Sequence, residues 1–411
     1  MFKYVSLAIP IFIVMIAIEA LVSWLRRDEN YRFTDAITNL SLGLGQTVID
    51  ALLKTVLILL YIIVYDHVAL VQLPDNWVTF VTMLLLYDFI YYWFHRFSHR
   101  INFLWAVHIV HHSSEDFNFT VALRQAWLHK TVAFMFFAPF PFLGVSPIMF
   151  AYINAFQTLY QFWLHTKYIG KLGPLEWIFV TPSHHRVHHS FAPEHLDKNF
   201  GGTLIIWDRL FGSFAEEKVS PIFGITKPVQ TWNPLWANLH YWKDLFVMAY
   251  KTKKWKEKIQ VFFRSPDWQP AYARKEKVKS NDLQDFKKFE TPISPALGWY
   301  ILLQFFIILF ISLYILLNWT PFTFYEKLFL VILILWSLIQ FGLLISQRTG
   351  VVLLELIRLG LFYIVLFHFL ALWTNTLFMQ IGGFLCTIIL ASWAYLSVRF
   401  QRVSMEEAVA K

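Results

Sequence analysis

The hydropathy of the 411-residue chain alternates between long apolar windows and short polar connections, and this pattern sets the architecture. A bilayer core of about 30 Å needs about 20 apolar residues per helix. Windows of that size lie near residues 4–25, 41–65, 76–94, 131–147, 148–165, 297–318, 322–345, 350–372 and 376–398. The fourth and fifth abut at Gly144–Pro147 and read as a short hairpin rather than two full spans. The expected fold is therefore all-α: a polytopic membrane protein with about nine apolar segments and a cytoplasmic histidine-rich region.

Four regions follow from this pattern. Residues 1–75 hold N-terminal spans, 76–225 a histidine-rich core, 226–296 an interfacial amphipathic helix and linker, and 297–411 C-terminal spans. Within the third, WNPLWANLHYWKDLFVMAYKTKKWKEKIQVFF interleaves aromatic rings with lysines, the mixture a helix needs on anionic headgroups, and 269–292 reads as a charged linker. Asp50 and Lys54, four apart, are expected to pair on one helix face, and Glu355 and Arg358 to form a buried pair.

Composition and charge sharpen the picture. With 57% hydrophobic and 15% charged residues the chain is too apolar for an ordinary soluble domain. If Arg26 and Arg27 are cytoplasmic, the loops placed outside (66–75, 319–321, 373–375) contain no Lys or Arg. The inside loops then hold Arg96, Arg100, Arg124, Lys130 and the lysines of 251–258. The net charge of +8 then reads as a match to an anionic lipid surface, with no nucleic-acid partner. The location expected is a bacterial inner membrane or the endoplasmic reticulum. The single cysteine, Cys386, excludes an internal disulfide and a Cys-rich metal site.

The candidate chemistry is histidine. HRFSHRINFLWAVHIVHH, residues 95–112, holds five of the fifteen histidines, and HHRVHH at 184–189 repeats the pattern. Residues three and four apart share a helix face, so His95 with His99, and His108 with His111 and His112, each converge. His165, His185, His188 and His189 complete a set of nine placed by topology on one side of the membrane. Neutral imidazole is a common ligand for iron, copper and zinc. A tetrahedral ion takes about four ligands, so nine donors imply two metals. Nine unmetallated imidazoles packed together would lose hydrogen bonds on burial and repel on protonation. Supporting candidates are His184 and Asp88, which lies seven residues before His95 on its face and could accept its second N–H; Glu115, Asp116, Asp197 and Asn199 follow. His67, His129, His195, His240 and His368 read as ordinary polar residues.

The order HRFSH, HIVHH and HRVHH, followed by DKNFGGTLIIWDRLFGSF, resembles the sterol desaturase and fatty acid hydroxylase superfamily. Within it, LWAVHIVHHSSEDFN, VALRQ, LYQFWLHT and GPLEWIFVTPSHHRVHH are most similar to the alkylglycerol monooxygenases, over roughly residues 85–225. The resemblance implies a non-haem di-iron monooxygenase that uses O2, a lipid substrate and an electron donor, tetrahydrobiopterin in that subfamily. It also implies hydroxylation beside an ether oxygen, releasing fatty aldehyde. Gln161 stands where fatty acid hydroxylases carry a further histidine, and Arg100 follows His99 where an acidic residue is expected. The alternatives are hydroxylation or desaturation of a sterol, hopanoid, carotenoid or acyl chain. From other classes, a histidine-rich metal transporter would place its coupling residues near the bilayer midplane, and a bis-histidine cytochrome would need facing histidines within spans.

Overall fold

The computed structural model describes residues 2–270, 272, 286–347, 350–373 and 383–398. Those residues are mostly helical; among them the only β pairing is two isolated bridges, Phe179 with Leu204 and Ser190 with Phe223. The chain divides into two compact units, residues 1–230 with 236–289, and 231–235 with 290–411.

In the first unit α1 (Phe2–Arg26) is followed by α2 (Phe33–Val68) and α3 (Trp77–Arg100). At 36 residues α2 is about 54 Å long, well beyond one bilayer core. Its buried residues run almost entirely from Thr34 to Ala51, a polar half that packs within the protein, whereas the apolar half beyond is exposed or half-buried apart from Tyr61. The helix starts earlier than the apolar window at 41–65 because polar partners, rather than lipid, cover its first turns. Asn76 caps α3 by accepting from the Thr79 amide at 3.0 Å, and α3 runs past the apolar window at 76–94 to carry His95 and His99 in its last turns.

The window at 131–147 is not one helix. It is α7 (His129–Phe134), a 3-10 turn at Met135–Phe137 and α8 (Pro139–Phe142), broken by prolines that cannot donate to the preceding turn. Gly144, at φ 77°, closes this hairpin; a Cβ there would meet the Val71 carbonyl oxygen at 1.7 Å. Then α9 (Pro147–Trp163) starts on Ser146, which accepts from the Met149 amide. Tyr61 from α2, Tyr87 from α3 and Phe137, Phe140, Met149 and Ile153 form one aromatic core.

The close ion pair of Asp50 is with Lys130 at 3.3 Å rather than with Lys54, which it attracts from further off. The interfacial segment forms two helices, α12 (Pro234–Lys251) and α13 (Trp255–Phe263), and most of the 269–292 linker lies outside the described residues.

The second unit contains α14 (Pro295–Leu317), α15 (Phe324–Ile345), α16 (Val351–Trp373) and a last helix at Gly383–Val398. Glu355 and Arg358 form the expected buried pair. Among the described residues, four helices are long and apolar enough to cross a membrane: α2, α3, α14 and α15.

Candidate metal centre

Four pieces of chain build the site. The end of α3 presents His95 and His99. The chain turns at Ile101 through α4 (Asn102–Ala106) and returns with His108, then α5 (Ile109–His112) with His111 and His112. His165 stands just past the end of α9, and α10 (Pro182–His188) supplies His185 and His188, with His189 capping it. The nine fall into two groups, each with its ligand atoms within 4.8 Å of one another. One is His95, His99, His108, His112 and His188; the other is His111, His165, His185 and His189. All nine are buried apart from His99, which is partly so.

Neighbours in sequence part company here. His111 and His112 lie in different groups, as do His188 and His189, because consecutive helical residues point about 100° apart.

Proton bookkeeping shows what the groups require. The Nδ1 of His111 lies 2.9 Å from the Arg124 carbonyl oxygen and that of His165 lies 2.9 Å from the Gln161 carbonyl oxygen. A carbonyl only accepts, so both Nδ1 atoms carry the proton and both Nε2 atoms are bare lone pairs. Those two Nε2 atoms face each other at 3.3 Å. In the first group Nδ1 of His95 donates to Phe200 O at 2.8 Å and Nδ1 of His188 to Lys198 O at 3.0 Å. Buried Nε2 of His188 and of His99 has no protein partner. His108 Nε2 stands 3.0 Å from both His95 Nε2 and His112 Nε2, and one proton cannot serve two contacts.

Converging lone pairs call for a cation. Two imidazoles on one ion, each about 2.1 Å from it, stand about 3.0–3.4 Å apart for angles of 90–109°; the observed spacings of 3.0–3.3 Å match. Burial holds the imidazoles of His108, His111, His112, His185 and His189 well below the ordinary 6.5, and that of His188 down to about 4. They are neutral at pH 7, the form that binds metal.

Contrary to the expectation from its helix face, Asp88 is not the hydrogen-bond partner of His95. Seven helical residues are about 10 Å along the axis, and its carboxylate accepts instead from the amides of Thr203 (2.7 Å) and Leu204 (3.0 Å), Gln157 Nε2 and Trp207 Nε1. It pins the loop that supplies the Phe200 carbonyl to His95. Gly202 lets that loop approach; a Cβ there would meet Gln157 Nε2 at 1.9 Å. Gln161 lies outside both groups, its side chain accepting from the Tyr91 hydroxyl at 2.9 Å. His184 is also outside them: it completes a capping box with Thr181 at the start of α10.

Asp197 pairs with Arg100 at 3.2 Å and lies 3.8 Å from His99 Nδ1. Asn199, at φ 56°, clamps its loop by donating to His184 O and Ala215 O and accepting from the Ala215 amide. Glu115 accepts from the Phe289 amide, and Asp116 pairs with Arg32 (2.9 Å) and Lys288 (2.6 Å). His129 hydrogen-bonds Val107 O at 3.2 Å and belongs to neither group, and His368 has a side chain outside those described.

Two supporting residues escaped the sequence reading. Asp208 accepts from the amides of Phe200 and Gly201 and from Ser213 Oγ, each at 2.7 Å. Buried Arg124 donates to Val110 O, Ser113 Oγ and Asn39 Oδ1 while its own carbonyl receives His111. They sit in the motifs VALRQ and WDRLFGSF, which are polar inside apolar surroundings, but their partners are mostly backbone groups, which no residue type announces.

The fatty acid hydroxylase family model matches residues 80–213, a stretch that contains all nine histidines. The chain is 36% identical over 368 residues to an alkylglycerol monooxygenase of Xenopus tropicalis, covering 87% of this chain and 81% of the relative. It is 37% identical over 365 residues to that of Danio rerio, covering 87% and 80%. An ornithine lipid hydroxylase of Rhizobium tropici is 32% identical over 152 residues, 34% of this chain and 44% of that protein. No solved structure matches the chain. The histidine groups and the hydroxylase match together suggest metal use, with iron as the metal. Identity of this degree over four-fifths of full-length relatives means that the chain belongs to the alkylglycerol monooxygenase family.

Proposed function

We propose that this protein is a membrane-bound monooxygenase that hydroxylates a lipid, with two irons held by the nine histidines. One is held by His95, His99, His108, His112 and His188, the other by His111, His165, His185 and His189. The observation that carries the metal reading is the pair of unprotonated nitrogens of His111 and His165 facing each other at 3.3 Å. The substrate follows the named relatives: the carbon beside the ether bond of an alkylglycerol.

Bound by these histidines, iron would supply the activation of O2 that no side chain can. The protein binds, orients and keeps water out. Backbone carbonyls of Phe200, Arg124, Gln161 and Lys198 hold four imidazoles in the tautomer that leaves Nε2 free. Asp88 and Asp208 fix the loop bearing one of those carbonyls. Inserting one oxygen atom and reducing the other to water takes two electrons and two protons from a donor, for which tetrahydrobiopterin is the candidate. Hydroxylation beside an ether oxygen gives a hemiacetal, whose C–O bond breaks to leave a fatty aldehyde and a free glycerol hydroxyl.

The centre is assigned to the cytoplasmic face. The loop at the opposite end of α2 and α3, 66–75, lacks Lys and Arg, and the polar half of α2 lies at its histidine end. The relative that hydroxylates an ornithine lipid favours a second reading, hydroxylation of another lipid without ether cleavage.

Purified protein is expected to carry about two irons per chain, without a haem band, and to release aldehyde from an alkylglycerol when given O2 and the reduced pterin. Metal-free protein that still oxidises lipid would overturn the metal reading. Iron-dependent hydroxylation of an ornithine lipid with no aldehyde from the ether lipid would replace the substrate.

A further inference from the structure

The elbow between α12 and α13 has two unlike faces. Its inner face packs Leu245 and Val261 against Ala106 of α4. Asn102, also on α4, ties both helices down: its Oδ1 accepts from Tyr241 of α12, its Nδ2 donates to Val261 O of α13 at 2.8 Å, and its amide donates to Arg264 O at 2.9 Å. α4 is the segment between His99 and His108, so the elbow is fastened to the chain joining two histidines of one group.

The outer face is apolar and exposed. Phe246 (61%), Tyr250 (85%), Trp255 (75%), Ile259 (49%) and Phe263 (65%) lie one helical turn apart on each arm and line an open cleft of about 570 Å³. Such a set would be an aggregation liability in water. Lys258 lines the cleft, and the chain around it is predominantly basic. Between Lys251 and Lys258 the chain has Lys251, Lys253, Lys254, Lys256 and Lys258 against Glu257 alone. The first four are exposed, and among the described residues only Lys254 of the five has an ion pair, a 3.6 Å contact to Glu257. Rings that partition to the headgroup level beside ammonium groups that reach phosphates match an anionic bilayer surface. A protein partner would need acidic groups matched one by one, whereas a lipid surface asks only for sign.

We propose that this elbow is a docking surface for anionic phospholipid headgroups, seating the His99–His108 turn at a set depth beneath the bilayer surface. The surface does not depend on which lipid the centre oxidises.

The test uses the full chain with its one cysteine replaced, Cys386→Ser, and a single spin label introduced at Tyr250→Cys, or at Trp255→Cys as a second position. Lys218→Cys, on the exposed 215–221 loop, serves as the aqueous reference. Each variant is placed, with one chain per disc and separately with two, in lipid nanodiscs of phosphatidylcholine with or without phosphatidylglycerol, and accessibility to a water-soluble nickel chelate is measured. Positions 250 and 255 are expected to be about fivefold less accessible with phosphatidylglycerol than without it, and to regain access when Lys251, Lys253, Lys254 and Lys256 are all changed to Glu. Position 218 is expected to be unchanged. Access at 250 and 255 equal to that at 218 in both lipids would overturn the proposal. So would protection that ignores both phosphatidylglycerol and the lysine changes, which would mean apolar insertion alone. Protection that appears only when two chains share a disc would assign the face to a second copy.

Discussion

Two buried polar clusters in this chain look alike by composition and differ in what they need. In the second unit Arg358 donates to Glu355 at 2.8 Å and to Gln304 Oε1 at 2.7 Å, and the Tyr300 hydroxyl also donates to Glu355. Donor meets acceptor at every charged atom, and the rings of Phe341 and Phe362 flank the guanidinium at 5.9 and 5.5 Å. The charged groups satisfy one another, Gln304 Nε2 alone of the named atoms being buried without a partner among the described residues, and the cluster cross-links α14 to α16. In the histidine centre the Nε2 atoms of His111 and His165 face each other, acceptor to acceptor. The backbone has claimed the Nδ1 protons of four rings, so their remaining nitrogens have nothing to share among themselves. Buried polarity that balances is a staple; buried polarity that does not is a binding site.

The largest effect that would sharpen this contrast is expected at the histidines. His165→Ala should remove product formation and most iron while the protein still reaches the membrane with unchanged helicity, read by iron content, product assay and circular dichroism. Normal turnover in that variant would break the ligand assignment. Next comes Arg358→Ala, which leaves Glu355 buried without its cation and should cost about 3–5 kcal/mol of stability. The double replacement Glu355→Leu with Arg358→Met should recover most of it, as measured by thermal unfolding in detergent, and neither should change iron per chain.

A smaller loss is expected from Asp208→Asn, which trades one acceptor oxygen for a donor beneath the Phe200 amide and lets the His95 carbonyl partner drift. Iron affinity should fall about 10–100-fold, read by chelator competition, with little change in unfolding temperature. The smallest concerns Asp197→Ala. Its pair with Arg100 is half exposed and worth at most about 1 kcal/mol, so stability should hardly move, and any change in activity would have to come through the 3.8 Å approach to His99.

The departures from the sequence reading are instructive one by one. Asp88 is on the face of His95, but helical periodicity says nothing of distance along the axis, and the carboxylate serves a loop more than a hundred residues away. Asp50 took Lys130 over Lys54, since an intrahelical pair four apart gains only about 0.2–0.5 kcal/mol and a partner from another element can displace it. The apolar window at 131–147 has the composition of a span, yet its prolines divide it into short turns. Arg124 and Asp208 were invisible as supports because they bind mainly backbone amides and carbonyls of irregular chain, which carry no residue-type or periodic signal, and Arg124 also reaches Asn39 of α2.

Local chemistry and periodicity are properties of the residues themselves. That is why the apolar helices, the nine histidines, the Glu355–Arg358 pair and the membership of a hydroxylase family were all legible from the chain. The division of those nine into five and four was not. His111 and His112 are adjacent, and so are His188 and His189; which metal group each joins depends on how α5 and α10 are rotated against α3 and on where the end of α9 delivers His165. That rotation is set by long-range packing and by the carbonyls of Phe200, Arg124 and Lys198, contacts that exist only once the chain has closed on itself.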